Sequence, residues 1–375
     1  MKSWWKSFQV AFTFIGTVVG AGFASGREVM QFFTRFGDWG PLLILLASLF
    51  FVWIGAKVLL LASKLKAGSY EDLNRHLFGD RTGRWVSLLM LLVLTAVNAV
   101  MLAGAGSLFS EHLNLSYQSG LLITMFACFV LLRKGIPGII AVNSFVVPIM
   151  VAFTAVLMVD TLTSPGTSGW PSSQDSLAVS PWAALLSPFL YAAFNLSMAQ
   201  AVLVPLGSSV GDPRILKRGA WMGGIGIGLL LLAGHLTLSA RMPGISQFDI
   251  PMGGIAREFG AWIHWTYVLL IFSEIFTTLV SDIFGLTVQL QERTRISRGA
   301  LTAGLLLVCF IIGQFGFGPL LSALYPFFGM LSLGWLFLMG RDRALRDGPP
   351  PAPPSPSSRR TASRSAPLPP HAGDT

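Results

Sequence analysis

Two stretches of this chain set polar groups inside apolar sequence. Residues 16–28 read Gly-Thr-Val-Val-Gly-Ala-Gly-Phe-Ala-Ser-Gly-Arg-Glu, and residues 273–282 read Ser-Glu-Ile-Phe-Thr-Thr-Leu-Val-Ser-Asp. The first interrupts what would otherwise be one membrane-crossing helix from about Phe8 to Phe36. Away from water an unpaired backbone amide costs several kcal/mol, so a glycine-rich break followed by Arg27 and Glu28 persists where it lines a buried polar cavity. A broken helix exposes amide hydrogens at the start of its second half, which attract a carboxylate. It exposes carbonyl oxygens at the end of its first half, which attract a cation. Gly20, Gly22 and Gly26 let a ligand approach that backbone with no side chain in the way. These properties suit a path for a polar solute. The alternative is that the small residues only allow close helix packing, as in Gly-x-x-x-Gly contacts.

The elements that must position these groups are helices in a bilayer. Of 375 residues, 53% are hydrophobic and 11% charged, more apolar surface than a water-soluble fold can hide. Stretches near 8–36, 41–62, 85–110, 119–133, 138–160, 182–206, 219–239, 262–289, 299–315 and 319–340 predict ten spans, with 119–133 the shortest. Loop charges alternate with that count. Lys2 and Lys6, then Lys64, Lys66, Arg75, Arg81 and Arg84, then Arg133 and Lys134, then Arg214, Lys217 and Arg218, then Arg293, Arg295 and Arg298, then Arg341, Arg343 and Arg346 fall on every second side. That bias predicts a multi-pass protein of the cell membrane with both termini cytoplasmic. It also accounts for the net charge of +9 without a nucleic-acid surface. The basic, then apolar start also fits a secretory signal, but cleavage would remove a span that the repeat below requires. Residues 1–340 are expected to form the membrane domain, and the Pro- and Ser-rich residues 341–375 a disordered cytoplasmic tail.

Ten spans with both ends on one side divide into two sets of five running in opposite directions, about 8–160 and 182–340, an inverted repeat. The sixth span, the counterpart of the first, should then also be interrupted. Small and polar residues do gather near its middle, which predicts a break near Phe194–Ser197. Pro188 and Pro205 can instead kink or end a continuous helix.

The spacing of Gly16, Gly20 and Gly22, the following Phe23-Ala24-Ser25-Gly26, and Tyr191-x-x-Phe194-Asn195-Leu196 with Val202-Leu-Val-Pro205-Leu-Gly207 resemble the YkvI-like amino acid permeases of the amino acid–polyamine–organocation superfamily. The resemblance runs from about Phe8 to Gly340. It implies an all-α membrane fold of about ten helices, a five-plus-five inverted repeat with discontinuous first and sixth helices, as in the leucine transporter. The expected function is secondary active transport of a small amino acid or related zwitterion by cation symport through alternating access.

The substrate carboxylate is assigned to the backbone around Gly20, Ala21, Gly22, Ala24 and Ser25, with Phe194, Asn195 and Ser197 closing the pocket. Sodium-coupled relatives imply a cation site at the carbonyls of Gly16, Val19 and Glu274 and the hydroxyls of Thr277 and Thr278. A hard cation suits such oxygen ligands, and no transition metal is expected. Alternatively, both threonines bond back to their own helix. The fifth span, from Gly138 to Pro148, lacks the lysine that proton-coupled members place there, which leans toward sodium. With a proton instead, Glu274 or Asp282 would carry it.

Arg27, Glu28 and Asp282 are the candidate gate or proton-relay residues, because a charge at mid-bilayer costs about 2.5–3.5 kcal/mol and must face the interior or water. Arg27 calls for an acidic partner. Lys57 lies where snorkelling explains it, and Asn98 reaches either the site or a neighbouring helix. Cys128 and Cys309 read as small buried hydrophobes. His76, His112, His235 and His264 lack metal spacing, so a membrane enzyme is disfavoured. A non-transporting amino acid sensor that signals through its tail stays open. The partners implied are the bilayer and a small molecule, with no cofactor beyond the coupling ion.

Overall fold

The computed structural model describes residues 2–134, 139–163 and 180–345. Its helices are α1 (Lys2–Val18), α2 (Ala21–Ser25), α3 (Arg27–Phe32), α4 (Gly40–Leu65), α5 (Tyr70–Phe78), α6 (Asp80–His112), α7 (Tyr117–Lys134), α8 (Ile139–Thr163), α9 (Pro181–Val210), α10 (Pro213–Ser239), α11 (Pro251–Ala256), α12 (Ala261–Arg293), α13 (Arg298–Gly313) and α14 (Phe317–Arg341). Among the described residues, six helical stretches are long and apolar enough to cross a membrane: Thr34–Leu65, Asp80–His112, Pro181–Val210, Pro213–Ser239, Ala261–Gln291 and Phe317–Arg341. Tyr117–Arg133, Pro148–Thr163 and Arg298–Gly313 are shorter apolar helices. The described residues up to Asp342 form one compact unit. Most of the tail expected to be disordered, residues 346–375, lies outside the described residues, as does Gly138 at the start of the fifth span.

The predicted first-span break is present. α1 stops at Val18, Gly20 is extended (φ −112°, ψ −159°), and a second interruption falls at Gly26, whose φ of 81° is left-handed and suits glycine. The expected break in the sixth span is corrected: α9 runs without interruption from Pro181 to Val210, with Pro188 and Pro205 inside it. Two of its central polar side chains bond back to the helix itself. Asn195 Nδ2 donates to the Tyr191 carbonyl (3.1 Å) and Ser197 Oγ to that of Phe194 (2.8 Å), so both side chains are accommodated within a continuous helix.

Two groups of helices pack closely. α4 lies against α9 and α10, and α1 lies against α10. In the other group α6 packs with α7, α12 and α13 around Leu91, Leu102, Leu121, Leu279, Ile283 and Leu306, with both free cysteines buried among them. α2 and α3 bridge the groups: α2 meets α12, and α3 meets α9, α10 and α14.

Hydrogen bonds also gather the loops into two ends. At one end Ser7 donates to the Ile215 carbonyl (3.4 Å), Ser63 to that of Gly211 (3.3 Å) and the Tyr70 hydroxyl to Gln289 (2.7 Å), while His76 pairs with Asp342 (3.0 Å). Lys57 donates to the Met339 and Gly340 carbonyls, both at 2.7 Å. The basic residues Lys64, Arg214 and Arg341 lie close in sequence to these contacts.

Helix approach in the first group depends on missing side chains. A Cβ on Gly207 would lie 2.4 Å from the Leu59 carbonyl oxygen, so α9 touches the backbone of α4 directly. Gly207→Val is therefore expected to destabilise by about 1–3 kcal/mol through overpacking. Gly304→Val, where a Cβ would meet nothing within 4 Å, should leave the melting midpoint of the purified protein nearly unchanged.

Candidate functional site

The break in the first span is organised around Glu28. This side chain is 4% exposed and accepts a hydrogen bond from Asn195 Nδ2 (3.3 Å) on α9, with the Tyr191 hydroxyl beside it. It folds back over α2: a Cβ on Gly22 would lie 2.2 Å from Glu28 Oε2, so the carboxylate occupies the space that glycine leaves open. Ser25 closes the same turn. Its hydroxyl donates to the Gly22 carbonyl (2.8 Å) and accepts from the Arg27 amide (3.1 Å). The buried Ala24 carbonyl accepts from the Tyr267 hydroxyl (2.9 Å), which anchors α2 to α12. The Phe194 ring lies tilted against Tyr325 (4.5 Å between centroids) and Ser197 meets Ser332 (2.9 Å), joining α9 to α14.

Of the sequence-derived substrate residues, Gly22 and Asn195 thus meet through Glu28. Gly20 has open space where a Cβ would stand. Ser25 and Ser197 are occupied with backbone carbonyls or another hydroxyl.

The expected cation ligands separate more. Thr277 Oγ1 donates to the Ser273 carbonyl (2.8 Å) and approaches that of Glu274 (3.4 Å), which is the back-bonded alternative. Among the described residues no hydrogen bond joins Thr277 or Thr278 to Gly16 or Val19. Glu274 is 3% exposed, and its Oε1 makes no hydrogen bond among the described residues. Nor do Nε2 and Oε1 of buried Gln200 on α9, a residue that sequence reasoning passed over. Asn98 Nδ2 donates to the Leu94 carbonyl of its own helix (2.7 Å) and to Oδ2 of the candidate relay residue Asp282 (3.4 Å), linking α6 to α12.

Arg27 turns away from Glu28, toward the end of the bundle opposite the basic loops. Its Nη1 donates to the carbonyls of Phe248 (3.1 Å) and Ser246 (3.4 Å). Backbone oxygens are its hydrogen-bond partners, and the Glu111 carboxylate lies near enough to feel its charge. A Cβ on Gly318 would lie 2.4 Å from Asp249 Oδ1 and 2.9 Å from Arg27 Nη2, so both side chains converge on the start of α14.

The segment before α11 is held by α6. Asp249 Oδ2 accepts from Ser107 (2.8 Å), and the Glu111 carboxylate accepts the amides of Asp249 (2.7 Å) and Ile250 (3.1 Å). Arg257 donates to the Glu111 carbonyl and approaches His264 Nε2 (3.4 Å), and His264 lies 3.0 Å from His112. Sequence spacing had separated these two histidines by 152 positions, and nothing local signals their meeting. His235 instead reaches Thr34 (3.2 Å), so the histidines among the described residues form no common centre.

The apolar helices and the buried polar break define a multi-pass, all-α membrane protein. The chain belongs to the family of YkvI, an uncharacterized membrane protein of Bacillus subtilis (strain 168), with which it is 38% identical over 333 residues, covering 88% of this chain and 93% of that relative. It is also similar to the uncharacterized protein YyaD of the same organism, 24% identical over 330 residues, 88% of this chain and 95% of YyaD. No family model matches the sequence. Among solved structures, a manganese transporter mutant from Eremococcus coleocola superposes with TM-score 0.56 at 13% identity, over 89% of this chain and 77% of its own. Inward-facing Mhp1 superposes with TM-score 0.56 at 12% identity, over 88% and 75%. At these identities the likeness defines the fold.

The Glu111 carboxylate satisfies two backbone amides at once, each a charge-assisted bond worth about 1.5–3 kcal/mol. Glu111→Ala is expected to raise the hydrogen-exchange rate of the Asp249 and Ile250 amides by roughly tenfold or more. Exchange in α10, measured in the same experiment, should stay at its original rate.

Proposed function

We propose that this protein is a secondary active transporter and not an enzyme. In this reading it moves a small amino acid or related zwitterion by cation symport, with alternating access as the mechanism. The observation that carries the reading is Glu28: a buried carboxylate inside a broken helix, joined to α9 by Asn195, with no cationic side chain paired to it among the described residues. A negative charge at this depth is costly unless a cation or a proton meets it. A substrate ammonium or a coupling ion supplies that charge and leaves when the cycle turns. The fold shared with the manganese transporter and Mhp1 supports the same reading.

The finer assignments follow from it. Ten spans form a five-plus-five inverted repeat, about 8–160 and 182–340, followed by the tail from residue 341, with the basic end and both termini in the cytoplasm. The first packed group, containing α1, α4, α9 and α10, rocks against the second, which contains α6, α7, α12 and α13. α2 and α3 are at the hinge between them, and the Arg27, Asp249 and Glu111 cluster is the gate at the non-cytoplasmic end. The backbone of Gly20–Ser25 with Phe194, Asn195 and Ser197 holds the substrate. Gly16, Val19, Glu274, Thr277 and Thr278 hold sodium once the Thr277 hydroxyl turns from its own helix. If the coupling ion is a proton, Glu28, Glu274 or Asp282 carries it.

The test is ligand-dependent thermal stabilisation of the purified protein against a panel of amino acids and amines, in sodium or in choline. A ligand at 100 times its Kd should stabilise the wild type by about 2.7 kcal/mol. Glu28→Gln, which keeps shape and loses charge, is expected to melt at a similar temperature without ligand and to lose the ligand-induced shift. A full shift in Glu28→Gln would overturn the role of this carboxylate.

A further inference from the structure

α10 begins beside the first turns of α1, and glycines bring the two helices into contact. A Cβ on Gly219 would lie 2.5 Å from Val10 Cγ1, and one on Gly223 2.8 Å from Phe14. Spacings of three and four residues put Arg214, Lys217, Arg218, Trp221 and Ile225 along the outward side of α10, and all five are exposed. With Trp4 and Met222 they line a groove of about 470 Å³ at the seam between α1 and α10.

The chemistry of this groove changes along its length. At the start of α10 it is cationic. The Arg218 guanidinium lies 4.7 Å from the centroid of the Trp4 ring. Stacking uses the face of a guanidinium and leaves its N–H edges free for a planar, bidentate acceptor such as a phosphate. Among the described residues Arg214, Lys217 and Arg218 form no ion pair. The acid nearest in sequence, Asp212, faces the helix cap, its Oδ1 accepting the amides of Arg214 (2.9 Å) and Ile215 (3.5 Å).

One turn deeper the groove becomes apolar. Trp221 gives way to Met222 and Ile225, and exposed Leu229 follows on the same span, Pro213–Ser239. Paired tryptophans between a basic rim and an apolar wall mark headgroup depth in a bilayer.

We propose that this groove binds one anionic glycerophospholipid. Its phosphate sits among Arg214, Lys217 and Arg218, and an acyl chain lies along Trp221, Met222 and Ile225. Charge complementarity selects the anionic headgroup. The apolar continuation selects a lipid over a soluble phosphate, which would leave that wall bare. The lipid bridges α1 and α10, both in the packed group that also contains α4 and α9, and so braces that group from outside. The site is independent of what the protein transports.

The experiment titrates the full-length protein in neutral detergent with dioleoyl-phosphatidylglycerol, dioleoyl-phosphatidylcholine or inorganic phosphate. Bound lipid is read by native mass spectrometry and stability by thermal melting. Phosphatidylglycerol is expected to bind at least roughly tenfold more tightly than phosphatidylcholine, and inorganic phosphate to leave the melting temperature unchanged. The double variant Lys217→Ala with Arg218→Ala should weaken phosphatidylglycerol by roughly tenfold or more, as expected for removing two cations at a membrane surface. The control Arg81→Ala with Arg84→Ala, exposed cations on α6, should retain wild-type binding.

Should the first double variant prove unstable, Arg218→Lys is read in the same titration. It keeps the charge, loses the stacked fork, and is expected to bind several-fold more weakly. Equal binding of both lipids, an undiminished affinity in the groove variants, an equal loss in the control, or stabilisation by phosphate alone would each overturn the proposal.

Discussion

Glu28 drawn back onto Gly22 is the contact on which the central architecture depends. A carboxylate in an apolar bundle needs hydrogen-bond donors and space, and both come from the way the first span is broken. Gly22 supplies the space, because any side chain there would collide with Oε2. Asn195 and Tyr191 supply polar contact from α9, and the left-handed Gly26 turns the chain so that Glu28 points inward while Arg27 points out. Two adjacent residues of opposite charge thereby serve different parts of the molecule. One meets α9 in the interior, and the other meets the backbone of the 240–250 segment near the surface.

That division gives the broken span a mechanical character. α2 is tied to α12 through Tyr267 and Ala24, whereas α3 lies with α9, α10 and α14. The glycines between α1 and α3 make backbone rotation there least costly, and α8 and α14 also touch both packed groups. At the far end, Glu111 holds Asp249 and Ile250 by their amides and fastens the segment before α11 to α6. Arg27 is the contact between that segment and α3.

The sixth span shows where local reading stops. A concentration of Asn195, Ser197 and small residues looks like a break when only composition is considered. In α9 the same side chains bond to carbonyls three and four residues back, and the continuous helix presents Asn195 to Glu28. Without a glycine at the centre there is no cheap left-handed turn, and polarity alone does not open a helix. Thr277 of α12 behaves alike: its hydroxyl has a carbonyl of its own helix within reach, and bonds to it.

Helical, membrane-spanning character, the alternation of basic loops and the interruption near Gly20 were all legible in the residues. Each follows from local rules: the length of an apolar run, the side on which charge accumulates, and the freedom of glycine. The convergence of Glu28 with Asn195, of Arg27 with the Phe248 carbonyl, and of His112 with His264 was not. These partners are 167, 221 and 152 residues apart, and no periodicity links them. Sequence determined which groups had to be buried and where the backbone could bend. Tertiary packing alone decided which group each one meets, because hydrogen bonds and charge contacts act over a few ångströms and exist only once the helices are side by side.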